Sequence, residues 1–140
     1  MFKKILVAYD GSKGSDRALT LAIQLAREQE ADLWVLSVAE HLPRYPATID
    51  ETDEALRVAE QAVTQWHHKA RMLASEEGVA VQTIMRAGHA GQAIIQAAAE
   101  GHFALLVLGR SGHSEVWGRF MGSTADKVSR HAPCSVLIVH

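Results

Sequence analysis

Ala104-Leu105-Leu106-Val107-Leu108-Gly109-Arg110-Ser111-Gly112 is the stretch that decides the fold. Its first five residues carry no polar side chain. A strand formed here is therefore apolar on both pleated faces, since successive side chains alternate between them. Such a strand has to be covered from both sides, as in a parallel sheet flanked by helices. Four more short apolar runs, at 5–9, 33–38, 79–85 and 136–139, read as strands of the same sheet. Gln82 and Thr83 make the third of them more polar than the rest, which places it nearer an edge.

Between the strands the apolar period changes to that of a helix. Ala18, Leu21, Ala22, Leu25 and Ala26 follow Ser15, a candidate N-cap. Ala55, Ala59, Ala62, Val63, Trp66, Ala70 and Leu73 mark a long second helix that ends before Gly78. Ala93, Ile94, Ala97 and Ala98 mark a third, after Gly88-His89-Ala90-Gly91, and a short fourth helix spans about 124–131. Pro43 and Pro46 make residues 40–52 a long loop. Strands alternating with helices imply right-handed crossovers and a doubly wound parallel sheet, with no linker, repeat or low-complexity segment.

The chain's 140 residues suit one domain, and a composition of 48% hydrophobic and 21% charged residues is that of an ordinary globular protein. A formal charge of −2 gives no net attraction to nucleic acid or to an acidic membrane surface. A single cysteine, Cys134, excludes an internal disulfide and fits a reducing compartment; it reads as a buried structural thiol. Lys3 and Lys4 before Ile5-Leu6-Val7 mimic a signal peptide, but Asp10 ends that run too early, and no stretch is long enough to span a bilayer. A cytoplasmic location is expected.

In doubly wound sheets ligands sit beyond the carboxyl ends of the strands, where the strand order reverses. That rule selects Asp10-Gly11-Ser12 and the loop opening at Gly109. Gly109-Arg110-Ser111-Gly112 is followed, after nine residues, by Gly122-Ser123-Thr124. Gly112 permits a turn that points successive amides inward, and Gly122 permits close approach of the chain to a ligand. Ser123 opens the fourth helix with its unpaired N–H groups, or caps it in a box with Asp126. Other glycine motifs fit worse. No Gly-Lys pair supports a P-loop, the first strand lacks Gly-x-Gly-x-x-Gly, and the second glycine comes one residue early for a hydrolase elbow around Ser111. The negative charge and the apolar strand before Gly109 argue against an RNA clamp built on Gly-x-x-Gly.

Over essentially its whole length the sequence resembles the universal stress protein family. The likeness rests on Ile5-Leu6-Val7-Ala8-Tyr9-Asp10-Gly11-Ser12, on the Gly-2x-Gly-9x-Gly-Ser pattern, and on Arg130-His131-Ala132-Pro133-Cys134-Ser135-Val136-Leu137-Ile138-Val139. Ser135 departs from it, since many members have proline there. The expected architecture is one universal stress protein domain over 1–140: a Rossmann-like five-stranded parallel sheet in the order 3-2-1-4-5 with four helices. The resemblance implies an ATP site with Gly109, Gly112, Gly122 and Ser123 at the phosphates and Thr124 beside them. Asp10 would meet the nucleoside, Val38 the adenine through its backbone, and Ala8 would line the base. It also implies a homodimer paired through the last strand.

Arg110 and Arg119 are candidates to screen phosphate, against the ordinary role of exposed arginines. His113 and Lys13 read as solvated, and Trp117 as a loop residue or an interface anchor. Trp34 and Trp66 read as core. His67 and His68 diverge by about 100° on a helix and cannot easily share an ion, so a protein-only metal site is not expected, whereas Mg or Mn carried in with ATP is. The functional expectation is an ATP-binding stress-response or signalling protein. The alternatives are a slow ATPase, for which no base is evident near the loop, and an interaction module that takes AMP, cyclic AMP or nothing.

Overall fold

Along the chain, β1 (Lys4–Ala8), α1 (Lys13–Gln29), β2 (Asp32–Ala39), α2 (Ile49–Glu76), β3 (Val81–Ala87), α3 (Ala90–Glu100), β4 (Leu105–Gly109), α4 (Ser123–His131) and β5 (Ser135–Val139) alternate strand and helix. The computed structural model describes residues 1–40, 49–110 and 121–140, the side chains of 49 and 50 excepted. The strands form one parallel sheet in the order β3-β2-β1-β4-β5, as the sequence predicts. The order reverses between β1 and β4, where the chain has wound outward to β3 and then restarts on the other side.

Leu105, Leu106, Val107 and Leu108 are all buried, so the strand that decided the reading is covered on both faces. One face packs Val7, Val35 and Val107 against Leu19 and Ala22 of α1 and Ala70 of α2. The other packs Leu6, Leu36 and Leu106 against Ile94 and Ala97 of α3 and Val128 of α4. Each such aliphatic side chain contributes about 1.5–3 kcal/mol when fully buried. Trp34 meets Phe103 edge to face, with centroids 6.0 Å apart at 80°. The Lys4 ammonium lies 5.5 and 4.6 Å from the two ring centroids. Cys134 is half-buried against the α3/α4 face, and burial pushes its thiol pKa up. Among the described residues no helix is long and apolar enough to cross a membrane.

Three boundaries differ from the sequence reading. α1 is capped by Ser12, not Ser15: the Ser12 hydroxyl accepts from the Ser15 amide at 3.2 Å. β3 starts at Val81 because the Val79 amide is held by the Ala74 carbonyl at 2.9 Å, closing the end of α2. α2 starts at Ile49, inside the stretch read as loop; the acidic residues Glu51, Asp53 and Glu54 favour a helix start, where they meet the positive end of the macrodipole.

His67 of α2 is buried, and its Nε2 has no hydrogen-bond partner among the described residues. His68 beside it is exposed. Burial, with the nearby Arg71 charge second, holds the His67 imidazole below its ordinary pKa. The folded chain thus binds fewer protons at this site than the unfolded one. The contribution of neutral His67 is complete above the ordinary imidazole pKa of about 6.5 and is lost as pH falls below it. The unfolding free energy from urea titrations at pH 7.5 to 5.5 is expected to fall, at a rate of at most about 1.4 kcal/mol per pH unit from this group. A His67→Leu protein should show a flatter profile; an equal slope in both proteins refutes the assignment.

Candidate functional site

A cleft of about 370 Å³ opens over the carboxyl ends of β1, β2 and β4, at the reversal of strand order. Its floor is set by the turn after β1. Asp10 Oδ1 accepts from the Ser12 amide at 3.0 Å and from the Ser12 hydroxyl at 2.5 Å. The Ser15 hydroxyl donates to the Ser12 carbonyl at 3.0 Å and accepts from the Asp10 amide at 3.3 Å. Below the turn, the Tyr9 hydroxyl donates to Asp16 Oδ1 at 2.6 Å, and the Lys69 ammonium reaches the same oxygen at 3.3 Å. Burial first, and then the Asp16 carboxylate, push the Tyr9 phenol upward, so it remains a protonated donor. The Ser37 hydroxyl donates to the Tyr9 carbonyl at 2.5 Å and ties β2 to the same point. Polar groups here satisfy one another, which fixes the floor before any ligand arrives.

α1, α3 and α4 all begin at this end of the sheet, and all three starts line the cleft. The start of α1 is capped by the Ser12 side chain. At α3, His89 makes no side-chain cap; Glu40, from the end of β2, accepts the Ala90 amide on Oε1 at 3.3 Å instead. α4 differs from both. Its N-cap is Gly122, which has no side chain to offer. Of the two readings of Ser123, the structure has the one in which it opens the helix; the capping box with Asp126 is not formed, because Ser123 is already the first helical residue and the Asp126 carboxylate turns to Arg130 Nε at 3.2 Å. Among the described residues nothing accepts from the amides of Ser123, Thr124 and Ala125. The Gly122 amide itself is used, donating to the Arg110 carbonyl at 2.7 Å, and the Arg110 amide donates to Val139 at 2.9 Å. The amides turned to the cleft are thus those after Gly122 rather than its own.

Of the residues singled out in the sequence, Ala8, Asp10, Val38, Gly109, Gly122, Ser123 and Thr124 all line this one cleft. Gly112, His113, Trp117 and Arg119 lie outside the described residues. Arg110 lines the cleft as well. Gly109 has a further reason to be glycine that the sequence does not show: a Cβ there would stand 2.7 Å from the carbonyl carbon and oxygen of Gly14. Its bare backbone lets α1 close against β4.

The sequence reading missed a whole wall. Ala59, Ala62 and Trp66 of α2 line the cleft. Trp66 is therefore more than core filling: its indole lies against Gly11, where a Cβ would come within 2.5 Å of Nε1. The 59, 62, 66 spacing, small-small-large along one helical face, was visible, but it is equally the pattern of a core stripe. Among the described residues no group of three His, Cys, Asp or Glu side chains could hold a metal ion.

A doubly wound parallel sheet with a crevice at its switch point, walled by helix starts and by apolar strand ends, defines a Rossmann-like protein. More particularly, the chain belongs to the universal stress protein family, whose profile matches residues 1–140. It is 33% identical over 147 residues to universal stress protein YxiE of Bacillus subtilis, spanning 99% of each chain. It is similar in fold to universal stress protein UspA from Lactobacillus plantarum, with a TM-score of 0.91 at 24% identity over 99% of this chain and 98% of that one. A universal stress protein solved in complex with cAMP is 26% identical, with a TM-score of 0.76 over 99% of this chain and 97% of that one.

Proposed function

We infer that the cleft holds an adenine nucleotide, ATP in the first instance, and that the protein is a cytoplasmic stress-response or signalling protein whose bound nucleotide alters its conformation or its choice of partner. The observation that carries this reading is the start of α4 at the rim of the cleft, where no described residue accepts from the amides of Ser123, Thr124 and Ala125. Three consecutive amides and the positive end of the helix dipole meet there, with the Ser123 hydroxyl and Arg110 beside them. Phosphate is the anion that such a set of donors suits. From that point the cleft runs to an apolar slot formed by Ala8, Leu36 and Val38 with Ile94 of α3, which takes the flat, weakly polar face of a base. Asp10 lies between the two ends, where the sugar hydroxyls fall. The cAMP complex of a family relative supports the class of ligand. A divalent cation arriving with ATP would take most of its oxygens from phosphate and would need few ligands from the protein.

Hydrolysis needs a group that orients water toward phosphate. Asp10 is engaged with Ser12, and Asp126 with Arg130. These ties favour a protein that holds a nucleotide over one that turns it over. β5 completes the proposal: it is an edge strand whose Val136, Leu137, Ile138 and Val139 are only half-buried, and pairing with its twin in a homodimer would cover it.

Mass spectrometry of gently extracted protein should find ATP travelling with it. In titration calorimetry, a Gly122→Val, Ser123→Ala protein is expected to bind ATP at least about tenfold more weakly, since a valine side chain stands where phosphate approaches and one hydroxyl donor is gone. Equal affinity of the native and double-variant proteins would falsify the placement of the phosphates.

A further inference from the structure

Building on that reading, we propose that Glu40 is a specificity-determining residue: its carboxylate, fixed by the amide of Ala90, closes the base end of the cleft and selects a 6-aminopurine over a 6-oxopurine. Glu40 is the residue after β2, two beyond Val38, and it lines the cleft. Its Oε1 accepts from the Ala90 amide at 3.3 Å, on an exposed rim of the cleft. The contact draws the negatively charged carboxylate to the mouth of the slot made by Ala8, Val38 and Ile94, where it can act as an acceptor.

The same contact sets the ligand's direction. Two helix starts that lack a side-chain cap of their own face the cleft, those of α3 and α4. At α3 the anion position is already filled by Glu40. A phosphate placed there would meet a carboxylate, and at α4 it would meet Arg110 and amides from which no described residue accepts. β2 and β4 are separated by β1, so the two ends lie two strand spacings apart, about 10 Å. The cleft is thus negative at one end and positive at the other, and it fits a molecule with an anion at one end and a proton-donating edge at the other.

Adenine and hypoxanthine differ at that edge. Adenine presents an exocyclic amine, a donor, at C6; hypoxanthine presents a carbonyl oxygen there. A carboxylate facing the C6 substituent accepts from the first and repels the second, and could accept from hypoxanthine only through the neighbouring N1–H. The amide of Ala90 can only donate, which makes the conservative variant informative. In a Glu40→Gln protein the side-chain carbonyl is held by Ala90, and the NH2 group is left facing the base. The acceptor becomes a donor and the preference should swing toward the oxo base. In a Glu40→Ala protein the acceptor is removed and no donor replaces it.

The test is calorimetric titration of native, Glu40→Gln and Glu40→Ala proteins with ATP and with inosine triphosphate. Native protein is expected to favour ATP by about tenfold or more. In Glu40→Gln the ratio of ATP to inosine triphosphate affinity should fall about ten- to a hundredfold, with inosine triphosphate gaining. Glu40→Ala should weaken ATP alone. A Glu40→Gln protein that keeps the native ratio overturns the inference while leaving the nucleotide site intact. Native protein that takes up neither nucleotide defeats the site's reading itself, a distinct result.

Discussion

A Gly109→Ala protein is expected to be about 3 kcal/mol less stable than the native one, with a thermal midpoint lower by about 10 °C. The added Cβ would lie 2.7 Å from both the carbonyl carbon and the carbonyl oxygen of Gly14, and 3.2 Å from its Cα. All three are backbone atoms of the first turn of α1, so no side chain can rotate aside; the helix itself has to move. Overpacking of this kind costs about 1–3 kcal/mol where neighbours can adjust, and the upper end applies where they are main chain. The damage reaches the cleft as well. Ser12 and Ser15, on the same turn, line it and hold Asp10 in place. Nucleotide affinity should therefore fall along with stability, although Gly109 need not touch the ligand. Urea unfolding and calorimetry on one preparation would show both. A variant with an unchanged midpoint would mean that α1 does not press on β4 as described.

That residue also shows how far a sequence can be read. Its position at the end of an apolar strand is legible, because residues 104–108 carry no polar side chain and ask for cover on both faces. The physical demand on it is not, because Gly14 is far away in the chain and the contact exists only after α1 packs. The same division runs through the site. Ala8, Asp10, Val38 and the Gly122 turn follow strand ends, and strand ends are where a parallel sheet places ligands, so topology alone assembles them. Ala59, Ala62 and Trp66 reach the cleft from the side of a long helix whose period says only that one face is buried. Glu40 fell in a stretch whose prolines marked it as loop, and nothing local says that its carboxylate crosses to Ala90. Caps were misplaced for a related reason. Ser12 and Ser15 are both good caps, as is Ser123, and the choice among them depends on where the chain leaves the sheet. At α4 the choice bears on the proposed site, since with Gly122 as N-cap no described residue accepts from the amides that follow it.

The second large effect is expected at Gly11, and it differs in kind from the first. Gly11 has φ +78°, and a Cβ there would come 2.5 Å from Trp66 Nε1, 2.9 Å from Cε2 and 3.0 Å from Cδ1. Two costs add in a Gly11→Ala protein: about 1–2 kcal/mol for a left-handed backbone at a residue with a side chain, and the displacement of a half-buried indole. The sum is expected near 3 kcal/mol. Here, unlike at Gly109, the obstacle is a side chain and can be removed, so the two costs are separable. In a Trp66→Ala background the steric part disappears and only the backbone part remains. A double-mutant cycle should then give a coupling of about 1–2 kcal/mol between positions 11 and 66, well outside the ~0.3–0.5 kcal/mol scatter of independent sites. Additive effects would show that the indole yields without cost and that the backbone alone resists substitution. Because Trp66 and the Asp10–Ser12 turn are neighbouring walls of the cleft, coupling at this contact carries a functional consequence. Nucleotide affinity should be reduced in the Gly11→Ala protein through a displaced wall, with Asp10 and α4 unchanged in sequence.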